Sequence, residues 1–147
     1  MIKRSLSFLA AVVAAYVFAA IMATQFALAS ITALGLPISF GQRIAVTGHD
    51  LLGMGATLLP LFAIGFLIAF LVTALITRWF PQARIPLYII AGAVAVLAVH
   101  FGLNMTFDIT LVAAARSTGG LVTQAAAGAT GGYLFVRLST LDGVAKS

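Results

Sequence analysis

The sequence predicts an all-α integral membrane protein, a four-transmembrane-helix bundle that forms a single domain over residues 1–147. Hydrophobic residues make up 63% of the chain and charged residues only 7%, whereas a soluble domain carries about 25% charged residues. The few charges also bound four uncharged stretches, each with the roughly 20 residues needed to cross the apolar core of a bilayer.

Each uncharged stretch is predicted to be one helix, because a chain inside a bilayer must satisfy its own backbone hydrogen bonds. The charged residues that bound the stretches are Arg4 and Arg43, Asp50 and Arg78, Arg84 and Asp108, and Arg116 and Arg137. The predicted spans are Ser5–Leu36, Leu51–Trp79, Pro86–Phe107 and Gly119–Leu138.

The first span also resembles a secretory signal peptide. Lys3 and Arg4 precede an apolar stretch, and Ala27-Leu28-Ala29 resembles a cleavage site. The apolar stretch is longer than the 7–15 residues usual in signal peptides, so we expect a retained helix.

The distribution of basic residues predicts the orientation. Loops rich in Lys and Arg stay in the cytoplasm. If both termini are cytoplasmic, only Arg43 and Arg116 lie outside, and six of the eight basic residues lie inside: Lys3, Arg4, Arg78, Arg84, Arg137 and Lys146. We therefore expect both termini to be cytoplasmic, in the inner membrane of a bacterium.

The composition argues against several classes of function. The net charge of +5 is scattered rather than clustered on one face, so no nucleic-acid partner is expected. The chain has no cysteine, which excludes disulfides and thiolate sites. We find no Gly-x-Ser-x-Gly, phosphate-loop or His-Glu-x-x-His motif and no glutamate, so catalysis is not expected.

The third predicted helix carries the most informative polar pattern. His100, Asn104 and Asp108 are spaced four residues apart and therefore share one helix face. Four further polar residues fall towards the outer side: Gln25 and Gln124 in the outer halves of their helices, and His49 and Asp50 at the outer mouth of the second helix. Polar groups inside a membrane usually face the bundle interior and serve function, so the pattern predicts an outward-facing ligand-binding pocket.

Two other interpretations of these residues remain open. They can be structural, with Asp50 capping the second helix and His100 and Asn104 bonding between helices. His49 and His100 can also supply both axial ligands of a b-type haem, although their predicted depths match poorly. No other cofactor and no metal is expected.

The fourth predicted helix carries a stripe of small residues. Gly120, Gly128 and Gly132 share one face with Gln124, and small residues at this spacing let another backbone approach closely. The partner is either another helix of the chain or another subunit. We expect a homo-oligomer or a hetero-complex formed through this helix.

The sequence thus favours a protein that binds or conducts an ion or a small polar ligand, as small transporters and channels do. The first alternative is a non-catalytic subunit of a larger membrane complex. The second is a haem-bearing redox subunit.

Overall fold

A computed structural model describes residues 2–107 and 118–144, which form four long α-helices and one short 3-10 helix. The helices are α1 (Ile2–Ala33), α2 (Phe40–Ile76), α3 (Arg84–Phe107) and α4 (Thr118–Val144), and the 3-10 helix spans Pro81–Ala83. The described residues contain no β-strand. The prediction of an all-helical chain with four helices is confirmed.

The second helix begins earlier than the sequence pattern predicted. Ser39 accepts a hydrogen bond from the backbone N–H of Gln42, whose side chain in turn accepts from the Ser39 N–H. This reciprocal cap gives partners to two backbone N–H groups at the helix N-terminus, so α2 begins at Phe40 instead of Leu51. The turn before it includes Gly35, whose φ of 86° lies in the left-handed region that favours glycine.

Each helix packs against two neighbours, in the ring α1–α2–α3–α4 and back to α1. Neighbours run antiparallel. Phe8 contacts Phe70 and Tyr16 contacts Phe62, so α1 and α2 run in opposite directions. Two ends of the bundle follow from this arrangement. We call the end with the α1–α2 turn (residues 34–39) the turn end, and the end with Arg4, Arg84 and Arg137 the arginine end.

The helices contribute different kinds of residue to the core, aromatic on α2 and small on α1. Phe62, Phe66 and Phe70 of α2 are buried, and so are alanines spaced four residues apart on α1: Ala11, Ala15, Ala19 and Ala23. Aromatic rings fill the space between α2 and its neighbours. Alanine and glycine bring α4 close to α1 and α3.

The outer surface of the bundle is apolar. On α2, for example, Ile64, Leu67, Ile68 and Leu71 are all exposed. Three helices in the described part of the chain are long and apolar enough to cross a membrane, over Arg4–Ala33, Phe40–Ile76 and Pro81–Leu103. Helix α4 is not among them, because its glycines, its threonines and Gln124 lower its mean hydropathy.

Candidate functional site

The glycines of α4 fix how α3 and α4 fit together. A Cβ atom on Gly128 would overlap the backbone carbonyl of Gly92, and one on Gly132 would overlap the carbonyl of Tyr88. The two backbones are therefore in direct contact at these positions. On the neighbouring face, a Cβ on Gly131 would lie 2.9 Å from the Ala11 carbonyl oxygen of α1.

Helix α3 thus occupies the face of α4 that carries Gly128 and Gly132. The third glycine of the predicted stripe, Gly120, is buried in the first turn, and its carbonyl accepts a hydrogen bond from Thr123. Association with another subunit through α4 would have to use the exposed residues on a different face, which include Val122, Thr130 and Tyr133.

His100 lies inside the bundle and contacts α2. Its side chain is 7% exposed, and its ring centroid lies 6.1 Å from that of Phe62. Nδ1 lies 2.8 Å from the carbonyl oxygen of Val96. Because a carbonyl only accepts, Nδ1 must carry the proton, which leaves a lone pair on Nε2 of the neutral ring. Nε2 is buried without a hydrogen-bond partner.

Gln124 is another polar side chain buried in the core. It is 0% exposed, and its Nε2 donates a hydrogen bond of 3.0 Å to the Ala19 carbonyl of α1. The geometry assigns the amide orientation, since the atom facing a carbonyl must be the donor. Its Oε1 is buried without a partner. Both orphaned atoms, His100 Nε2 and Gln124 Oε1, are therefore hydrogen-bond acceptors.

The two side chains lie at neighbouring depths on adjacent helices. Gly92 faces Gly128 and Tyr88 faces Gly132, so the same antiparallel register sets Gln124 level with Val96. His100 is four residues from Val96, a rise of about 6 Å along α3. His100 and Gln124 therefore lie within about one helical turn of each other along the bundle axis, and we call this part of the core the buried polar layer.

Gln25 belongs to a different polar cluster, between α1 and α2 near the turn end. Its amide nitrogen donates to Thr47 Oγ1 at 3.2 Å, and its oxygen accepts from Arg43 at 3.3 Å. Arg43 also donates to Thr32. Both ends of the Gln25 amide are thus engaged in joining the two helices.

Asp50 also bonds to α1. Its Oδ2 accepts a hydrogen bond of 2.8 Å from Thr24, a buried residue. The adjacent His49 is exposed on the surface of α2 and does not share this contact. The structure therefore separates the predicted site into a buried layer with His100 and Gln124 and an α1–α2 cluster with Gln25 and Asp50.

Two predicted site residues lie outside what the structure describes. Asp108 is not among the described residues, and the side chain of Asn104 is not described although its backbone belongs to α3. Of the predicted stripe of His100, Asn104 and Asp108, the structure therefore describes only the side chain of His100.

The arrangement does not suit a haem held by His49 and His100. Phe62 contacts His100, and His49 lies 13 residues before Phe62 on the same helix, a rise of about 20 Å. A haem iron needs two nitrogens about 4 Å apart, each about 2 Å from the metal. Nor do three or more His, Asp or Glu side chains cluster at a metal-binding distance within the described part of the chain.

Two cavities lie away from His100 and Gln124 in the described part of the chain. A shallow groove of about 490 Å³ at the turn end is lined by Gln25, Arg43 and Thr47 among others, but not by His100 or Gln124. A larger cavity of about 880 Å³ opens at the arginine end. The sequence did not lead us to expect this cavity, because we interpreted the arginines only as indicators of orientation. The available signal was the position of Arg4, Arg78 and Arg84 at the same end of three predicted helices.

No protein-family model matches this chain, and no curated protein or solved structure is significantly similar to it.

Proposed function

We propose that this chain is a four-span protein of the bacterial cytoplasmic membrane that binds or conducts a small cation or hydrogen-bond-donating ligand through its buried polar layer. The observation that carries the proposal is that two buried acceptors, His100 Nε2 and Gln124 Oε1, have no hydrogen-bond partner in the described core. A buried polar atom without a partner is costly, and native proteins keep few of them.

The membrane location is supported by the apolar exterior and the three long apolar helices. Helix α4 lies beside them over its length. It contacts α1 from Gly119, which is near Phe26, to Gly131, which is near Ala11, and it contacts α3 as far as Ser139, which bonds to Arg84. If α1 and α3 cross the bilayer, α4 crosses with them. A helix of low mean hydropathy can lie in the bilayer here, because α1 and α3 cover the faces of α4 that carry its glycines and keep them from the lipid.

The orientation gives a direct test, since the chain has no native cysteine. Gly41 lies near the turn end with open space around it, and Gln82 is exposed at the arginine end. In intact cells, an impermeant maleimide should label Gly41→Cys. It should label Gln82→Cys only after the membrane is permeabilised. The reverse pattern would contradict the orientation, and labelling of both variants in intact cells would contradict the topology.

The chemistry of the two acceptors narrows the ligand class. Two acceptors have no proton to donate to an anion, but they can accept hydrogen bonds from water, ammonium or a protonated amine, or coordinate a bare monovalent cation. The lone pair on Nε2 of the neutral imidazole can also accept a proton itself. The α1–α2 cluster with Gln25 and Asp50 lies between this layer and the turn end, on the side from which we propose the ligand enters.

A flux measurement tests the function. Vesicles containing the purified protein and a trapped pH-sensitive dye are given a potassium diffusion potential, and the proton flux is recorded. Ammonium uptake is measured in a parallel set. For at least one of the two probes, we expect the parent protein to exceed protein-free vesicles at least about tenfold.

His100→Phe removes the imidazole acceptor but keeps a ring beside Phe62, and should reduce this flux to background. Thr130→Ala changes an exposed hydroxyl on α4 and serves as the control, with unchanged flux. Flux in His100→Phe equal to that of the parent, or no flux of either probe through the parent, would contradict the proposed function.

A further inference from the structure

The cavity at the arginine end combines a positively charged mouth with an apolar floor. Arg4 of α1, Arg78 in the turn after α2 and Arg84 at the start of α3 line it. The cavity lining also includes Ser5, Thr77, Tyr88 and Ser139. Its volume of about 880 Å³ lies within the range typical of ligand sites, roughly 300–1,000 Å³.

No acidic residue lines this cavity in the described part of the chain. Arg84 donates a hydrogen bond of 3.2 Å to Ser139 of α4, which holds its guanidinium at the cavity wall. Arg4 and Arg78 are exposed. Three guanidinium groups offer the multiple charge-assisted donors that a phosphate group binds best.

The floor of the cavity is aromatic. Phe70 stacks on Phe135 with ring centroids 4.6 Å apart, and its edges contact Phe8 at 6.2 Å and Tyr88 at 5.2 Å. These rings join all four helices at this end of the bundle. The packed rings give the cavity a fixed base and keep its interior apolar.

The side of the cavity between α1 and α2 is aliphatic and open. Leu9, Leu67 and Leu71 line it and are each at least half exposed, at 55%, 50% and 63%. These leucines also belong to the apolar exterior of the bundle. A ligand with a charged head at the arginines can therefore extend an apolar tail along the leucines into the surrounding lipid. A free phosphate ion would leave this side of the cavity empty.

We propose that this cavity binds an anionic phospholipid, with its phosphate headgroup at Arg4, Arg78 and Arg84 and an acyl chain along the leucines. This inference rests on the proposed membrane location and not on the His100–Gln124 layer. With the orientation proposed above, the site faces the cytoplasmic leaflet, where anionic lipids attract basic residues near the membrane surface.

The test is lipid binding to the full chain in detergent, read by native mass spectrometry. The probes are phosphatidylglycerol and phosphatidylcholine with identical acyl chains, and glycerol phosphate without chains. Phosphatidylglycerol should bind at least about tenfold more tightly than phosphatidylcholine. Glycerol phosphate should bind far more weakly than phosphatidylglycerol. Equal binding of the two lipids would overturn the proposal, and equally tight binding of glycerol phosphate would show a soluble phosphate site instead.

Arginine substitutions then locate the site. The double variant Arg4→Gln/Arg78→Gln changes exposed residues and should lose about tenfold in affinity for phosphatidylglycerol while keeping its melting temperature. Arg137→Gln removes a charge from the same end but not from the cavity, since Arg137 bonds to the Tyr133 hydroxyl at 2.8 Å. The control should bind like the parent, and an equal loss in both variants would overturn the site.

The proton and ammonium flux measurements are independent of this result. Loss of flux in His100→Phe with unchanged lipid binding separates the two sites. A parent protein without flux that still prefers phosphatidylglycerol would contradict the proposed function and leave the lipid site supported.

Discussion

Replacing Gly128 with leucine should unfold the monomer, and should not merely release it from a partner. Even a Cβ atom at this position would overlap the Gly92 carbonyl, so α3 and α4 would have to separate. Overpacking a well-packed core costs about 1–3 kcal/mol and more when backbone atoms must shift. We expect Gly128→Ala to lower the free energy of unfolding by about 3 kcal/mol, the upper end of that range, and Gly128→Leu to prevent folding.

The measurement is thermal unfolding in detergent, followed by circular dichroism and by elution from a sizing column. Gly102→Ala is the matched control on α3, because nothing lies within 4 Å of a Cβ atom built there. That control should be neutral or more stable by about 0.5–1 kcal/mol, since alanine favours the helix. A folded monomer of Gly128→Leu released from a larger complex would contradict internal packing and favour the subunit interface.

Replacing Gln124 with leucine should make the protein more stable and remove its ion or ligand flux. The substitution removes an acceptor, Oε1, that is buried without a partner. An unpaired buried acceptor destabilises the folded protein by about 1–3 kcal/mol, and leucine removes this cost. The same substitution also removes the hydrogen bond to the Ala19 carbonyl, which stabilises the parent by about 1 kcal/mol. The net gain should be about 1 kcal/mol, with flux falling to the background of protein-free vesicles.

Thr24→Val is the matched comparison for Gln124→Leu. It also replaces a buried polar side chain by an apolar one of similar size, but the Thr24 hydroxyl is bonded to Asp50 and to the Ala20 carbonyl. This variant should lose about 1 kcal/mol, because Asp50 loses its donor. If Gln124→Leu lost stability as well and kept its flux, Gln124 would be a structural bond between α1 and α4.

The chemical composition of this chain was enough to predict its helices. Long uncharged stretches bounded by arginine and aspartate can hardly form anything else, and three of the four predicted spans coincide with helices apolar enough to cross a membrane. The start of α2 was missed because a capping box on Ser39 and Gln42 is a local bond pattern rather than a hydropathy signal. The low hydropathy of α4 reflects its close packing.

The candidate site was predictable only by residue type. Spacing placed His100 on one helix face and hydropathy placed Gln124 at a similar depth, and both side chains are buried in the structure. Gln25 and Asp50 also fall towards the outer side but bond across α1–α2. Sequence spacing describes one helix at a time, so it cannot decide which side chains on different helices meet.

The sequence by itself determined that this chain is helical. It also determined which residues inside the apolar segments are polar. The free energy of burying apolar groups depends on composition and order along the chain, which the sequence states directly. Only the tertiary structure decided that Gly128 faces α3, that the acceptors of His100 and Gln124 have no partners, and that the arginines surround a cavity. Each of these facts depends on the distance between two helices, which packing sets and no single helix encodes.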